Sequence, residues 1–156
     1  MPGLYFEDFE VGRTYRHPFG RTVTETDNLL FTSLTMNTQT LHLDEEFART
    51  TQHGARVVNS IFTLGLLVGM TVSDLTMGTT LGNLSMTDIR FPIPVFHGDT
   101  LRAETTILDK RASRSKLDRG VVTFGHTAYN QRDEEVAYCR RAGMMMRRPH
   151  AEPACG

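Results

Sequence analysis

The sequence has 156 residues, 39% of them hydrophobic, with 17 basic side chains against 18 acidic ones and a formal net charge of −1. That length supports one domain with a real core and is too short for two comfortable ones, and the near-neutral charge leaves no electrostatic footprint for nucleic acid. Two cysteines build no disulfide framework, and the longest apolar run, Ile61 to Val72, covers one-half to two-thirds of the roughly 20 residues that span a bilayer.

The first thirteen residues read as a loop, with Pro2, Gly3 and Gly12 as punctuation and no basic or apolar region of a signal peptide. Thr14 to Val23 alternates weakly around Pro18 and Gly20, which predicts a strand or extended arm at a sheet edge. Thr24 or Thr26 can cap a helix from Asp27 to about Thr35, and Glu25 and Asp27 suit its positive end. A polar loop carrying His42 follows. Asp44 then caps a short helix to about Thr51, and Gly54 ends the excursion. Asn59 or Ser60 starts a second helix to about Leu75 whose apolar residues fall on all sides, so enclosure on most faces is expected. Gly65 and Gly69 leave a shallow strip where another backbone can approach.

After Gly78 the composition turns to strands: Gly82 to Phe91, Thr100 to Asp109, Val121 to Asn130 and Val136 to Met146, with turns between them. That spacing implies an antiparallel meander, and residues 148–156 read as a disordered tail. One strand, an apolar helix and four antiparallel strands make an α+β pattern in which a sheet wraps a central helix. One domain, residues 1–147, carries all of it, and a cytoplasmic location fits the cysteine usage.

Two segments carry chemistry. In Asn37-Thr38-Gln39-Thr40-Leu41-His42, a carboxamide precedes by five residues an imidazole able to exchange protons near neutral pH. The second is Arg90-Phe91-Pro92-Ile93-Pro94-Val95-Phe96-His97-Gly98-Asp99-Thr100-Leu101. Together they resemble the MaoC-like dehydratases (R-specific enoyl-CoA hydratases), whose active-site segment reads Asp-x-Asn-Pro-hydrophobic-His and whose later segment reads Arg-Phe…Pro-Val-x-x-Gly-Asp-Thr-Leu. The resemblance covers residues 5–147 and is nearest the mesaconyl-CoA hydratase-like branch. It implies a hotdog fold. On it Asn37 takes the place of the family's Asp, Gln39 of the Asn, Thr40 of the Pro and His42 of the His. The histidine is kept and the carboxylate is not.

The implied activity is reversible hydration of an α,β-unsaturated acyl-CoA, with coenzyme A as part of the substrate, no metal or redox cofactor, and a homodimer or higher assembly. His42 would do most of the proton work. Asn37 can hold water or a thioester oxygen but has no proton to take. Asp44 reads as a helix cap rather than a base. Asn59 and Ser60 stand where the family has His-Gly; both suit capping, and the Ser60 amide could serve as an oxyanion donor at the helix start. Gln39 and Asn59 are candidate substrate contacts. The basic run of Lys110, Arg111, Arg114, Lys116 and Arg119 fits either a solvated hairpin or, through Arg111 and Arg114, coenzyme A phosphates. His17, His97, His126 and His150 are isolated in sequence. Two rivals remain at this stage: a thioesterase on the same fold, and a non-catalytic acyl-CoA-binding subunit.

Overall fold

The computed structural model describes residues 3–149. A short 3-10 turn (Phe6–Asp8) leads into two brief strands, β1 (Thr14–Arg16) and β2 (Arg21–Thr22). Helices α1 (Glu25–Leu34), α2 (Thr40–Leu43), α3 (Glu45–Arg49) and α4 (Ser60–Met70) follow, and α4 runs on into a π-helical turn (Val72–Thr76). Four long strands complete the chain: β3 (Thr80–Arg90), β4 (Thr100–Ala112), β5 (Arg119–Tyr129) and β6 (Glu135–Met146). The architecture is α+β, with α4 lying against β4, β5 and β6. Among the described residues no helix is long and apolar enough to cross a membrane.

Capping chemistry sets the helix starts. Thr24 and Asp27 form a reciprocal box at α1, the Asp27 N–H donating to Thr24 Oγ1 at 3.2 Å and the Thr24 N–H to Asp27 Oδ2 at 2.9 Å. Asp44 accepts from the Phe47 N–H at 2.9 Å, and Asn59 from the Ile61 N–H at 3.0 Å. His42, expected in a loop, sits instead in the single helical turn of α2, too short to show any apolar period.

The sheet order is β1-β4-β5-β6-β3, with β2 also paired to β4. β4, β5 and β6 form the expected meander, but β3 joins the far side of β6 rather than β4. The connection from Phe91 to Asp99, with Pro92 and Pro94, carries the chain across from one edge of this set to the other. Pro18 and Gly20 split the first extended segment into β1 and β2, since proline has no N–H for a ladder.

Period-two alternation buries Leu101, Ala103, Thr105 and Ile107 on β4 and Val122, Phe124, His126 and Ala128 on β5. Leu64, Leu67 and Met70 of α4 close one core cluster, and Phe9, Leu75, Phe124 and Met145 a second. Truncating a fully buried residue such as Leu67 to Ala would cost about 2–5 kcal/mol. Enclosure of α4 is less complete than its composition suggests. Ile61 is 57% exposed, and among the described residues nothing beyond the helix itself comes within 4 Å of a Cβ at Gly65 or Gly69.

A polar chain threads the second half of the sheet. The Asp74 carboxylate accepts from His17 Nδ1 at 2.8 Å, His17 Nε2 meets Thr105 Oγ1 at 2.7 Å, and Thr105 Oγ1 meets His126 Nδ1 at 2.8 Å. Arg141 Nε donates to His126 Nε2 at 3.0 Å, and Arg141 Nη1 to Asn83 Oδ1 at 2.8 Å. His17 and His126, isolated in sequence, are thus joined in space. Beyond β6, Arg147 and Arg148 are tied to Glu7 and Asp8, each at 2.7 Å, so the expected tail is anchored at its first residue, Arg148. The rest of that expectation, with Cys155 and His150, lies outside the described residues.

Candidate functional site

The site begins where α1 ends. Met36 takes a left-handed backbone (φ 55°), which costs a non-glycine residue roughly 1–2 kcal/mol and turns the chain sharply. Asn37 follows, its Oδ1 accepting from the Gln39 N–H at 3.0 Å, and α2 then presents His42. His42 Nδ1 lies 2.7 Å from the carbonyl oxygen of Val57. A carbonyl only accepts, so Nδ1 carries a proton and, in the neutral ring, Nε2 holds the lone pair. Nε2 has no hydrogen-bond partner among the described residues.

His42 opens onto a cavity of about 360 Å3 shared with Ser60, Thr63 and His53 and walled by Val58, Val136 and the Phe91–Val95 segment. Ser60 is the first residue of α4, where backbone N–H groups lack intrahelical partners. The Ile61 N–H is taken by Asn59 and the Thr63 N–H by the Asn59 carbonyl. The Ser60 N–H has no acceptor among the described residues, and it stands at the positive end of an apolar helix. His42 and Ser60 thus line one cavity with mostly apolar walls, and a proton acceptor near a free N–H suits chemistry beside a carbonyl. No carboxylate is among the lining residues.

The remaining expected residues are not on that wall. Asn37 and Gln39 form the turn leading to α2, and Gln39 is exposed. Asn59 is 3% exposed and caps α4, with its own N–H donating to Asn28 Oδ1 at 2.8 Å; burial keeps it from touching a ligand directly. Arg111 and Arg114 lie on and beyond the far end of β4, Arg111 being roughly 35 Å along the strand from Thr100 at about 3.3 Å per residue. They do not reach the His42 cavity of their own chain. Sequence reasoning missed His53, Thr63 and Asn28. The first two are ordinary in sequence and acquire meaning only through the cavity; Asn28 looked like one more polar residue on α1.

His97, from the second motif, has its pKa pushed below the usual histidine range, chiefly by burial and then by the Arg56 guanidinium nearby. Arg56 is itself paired with Glu25 and Glu45.

A family model described as MaoC like domain matches residues 8–130. The chain belongs to the MaoC-like domain family. It is 34% identical to the mesaconyl-CoA hydratase of Cereibacter sphaeroides over 152 residues, a match that covers 97% of this chain and 44% of that protein. A solved MaoC domain protein dehydratase from Chloroflexus aurantiacus superposes with a TM-score of 0.89 at 32% identity, over 98% of this chain and 43% of the other. A Mycobacterium tuberculosis protein described as having a double hotdog fold superposes at 0.86 and 22% identity, over 97% of this chain and 47% of the other. At that identity it speaks for the fold alone, and the fold of this MaoC-like domain is a hotdog. The chain spans less than half the length of the curated relatives it matches over nearly its whole extent.

Proposed function

We propose that this MaoC-like chain adds water to, and removes it from, the double bond of an α,β-unsaturated acyl-CoA thioester. One observation carries the reading: His42, with a proton fixed on Nδ1, lines one cavity with Ser60, the first residue of α4, whose N–H has no acceptor among the described residues. In hydration, His42 Nε2 takes a proton from water as the water oxygen bonds to Cβ. The Ser60 N–H holds the thioester oxygen while charge gathers there, and the proton from His42 returns to Cα. The likeness to mesaconyl-CoA hydratase supports a short, branched enoyl group as substrate. The reaction as drawn calls for no metal or redox cofactor; coenzyme A arrives with the substrate.

The working protein in this proposal is a cytoplasmic homodimer or higher assembly. β3 is a sheet edge with Leu81, Leu84 and Ile89 exposed at 40%, 51% and 42%, and the bare side of α4 adds Ile61. Unpaired strand edges and exposed apolar residues favour a second copy. The absence of a carboxylate from the cavity wall favours a second reading, a non-catalytic acyl-CoA-binding subunit. Incubation with crotonyl-CoA and mesaconyl-CoA separates the readings. Loss of enoyl absorbance without free thiol marks a hydratase, free thiol marks a thioesterase, and binding with neither marks the subunit.

A further inference from the structure

Asn28 is fully buried in α1, and its side chain meets α2 at His42, the segment before α4 at Val57 and Asn59, and the second motif at His97. Its Oδ1 accepts from the Asn59 N–H at 2.8 Å, at the start of α4. Its Nδ2 faces the His42 carbonyl at 3.2 Å, the Val57 carbonyl at 3.4 Å and His97 Nε2 at 3.0 Å. The Val57 carbonyl is the one that fixes the His42 ring, and the residue after Asn59 supplies the unpaired N–H. One amide therefore holds both halves of the site in register.

The orientation of that amide follows from its partners. The Asn59 N–H can only donate, so the Asn28 oxygen must face it and the NH2 must face the other three groups. The NH2 also only donates, so His97 Nε2 must carry a lone pair. We infer that Asn28 is the positioning residue of the His42 site and that it holds this geometry only while His97 is unprotonated. A proton on His97 Nε2 would set an N–H against the amide NH2, and the amide would have to turn or withdraw.

The charged groups around His97 are Glu25 from α1, Glu45 from α3 and Arg56 from the segment before α4. Arg56 is held between the two carboxylates, so the set is nearly balanced and burial dominates. That environment favours the neutral form of His97, in agreement with the role the geometry gives it. His97 does not line the cavity, and Asn28 is sealed from it, so neither touches substrate.

The inference rests on the proposed hydratase reading for its effect on rate, but its structural half stands apart. In the full chain, Asn28→Leu should lower kcat for crotonyl-CoA hydration by about ten- to hundredfold, as for a misplaced catalytic group, and leave KM within about twofold. Nitrogen NMR of His42 should show the proton confined to Nδ1 in the wild type and shared between both nitrogens in Asn28→Leu. His97→Gln, which offers the amide an acceptor that does not titrate, should keep kcat at neutral pH. It should also reduce the acid-side slope of log kcat against pH from steeper than one to one. If Asn28→Leu does not fold, the His97→Gln profile and the pH response of the Asn28 NH2 resonance decide alone: that resonance should move with acid in the wild type and stay in His97→Gln. A folded Asn28→Leu with unchanged kcat and an unchanged His42 tautomer would overturn the inference, as would a His97→Gln protein whose NH2 resonance titrates like the wild type. A wild-type protein that hydrates no enoyl-CoA would defeat the hydratase reading, while these NMR measurements would still decide the positioning role.

Discussion

His42 Nδ1 donates to the Val57 carbonyl oxygen at 2.7 Å, so the backbone, and not a carboxylate, sets the tautomer of the ring. Val57 is itself held in place: its N–H donates to the Leu41 carbonyl, and it forms a bridge with Phe96. The orientation of the proposed base therefore depends on the join between α2, the segment before α4 and the second motif. No substitution of the Val57 side chain removes that acceptor, and its loss would have to come through displacement of the segment.

Asn37 gives the first prediction. Its Oδ1 accepts from the Gln39 N–H, an interaction a carboxylate makes equally well. Asn37→Asp should fold like the wild type and hydrate crotonyl-CoA at the wild-type rate or faster, since it returns the family's carboxylate without moving the turn. Asn37→Ala leaves the Gln39 N–H unpaired and should lower kcat. Steady-state kinetics on both variants check this; equal rates in all three proteins would show that the turn at Asn37 does not govern the placement of His42.

The elements that carry the site were legible because their signals are local. The caps at Thr24, Asp44 and Asn59 show themselves within three residues, and the strands of the second half show themselves by alternation. The pairing of β3 with β6 was not legible, because strand composition fixes which residues face inward and says nothing of which neighbour lies alongside. Asn28 was invisible for the same reason. Its partners lie 14, 29, 31 and 69 residues away, and nothing near it in the chain distinguishes it from a polar residue on a helix surface.

A packing prediction concerns Gly120. A Cβ there would stand 2.4 Å from the Phe6 ring, which is 8% exposed and belongs to the second core cluster. Gly120→Ala should force that ring and the turn carrying it to shift, at about 1–3 kcal/mol. Denaturant melts should show a lower midpoint with an unchanged slope. A midpoint equal to the wild type would mean the N-terminal turn is not held against β5.

Acid should weaken the fold through His126. Burial first, then the neighbouring Arg141 guanidinium, hold its pKa well below the usual value. The neutral form is favoured in the folded state, while the unfolded chain takes up a proton near pH 6.5. Stability from this group is therefore complete above about pH 6.5 and declines as the pH falls toward the folded-state value, by about 1.4 kcal/mol per pH unit. His97, shifted the same way, adds to the decline. The paired carboxylates Asp8, Asp27 and Glu7, held below their usual range, lose their contribution only at lower pH. Thermal melts at pH 7.5 and 5.5 should show a drop that is smaller in His126→Gln. An equal drop in both proteins would remove His126 as its source.

The most direct measurement is hydration of crotonyl-CoA and mesaconyl-CoA by the wild type and by His42→Ala, followed by loss of enoyl absorbance. The wild type should hydrate at least one of them, and His42→Ala should lose at least about a hundredfold in kcat, the scale of a missing acid–base group. Its fold should be kept, because His42 is half-buried on a single helical turn and its ring makes one hydrogen bond. A folded His42→Ala protein that hydrates either substrate at the wild-type rate would contradict the account.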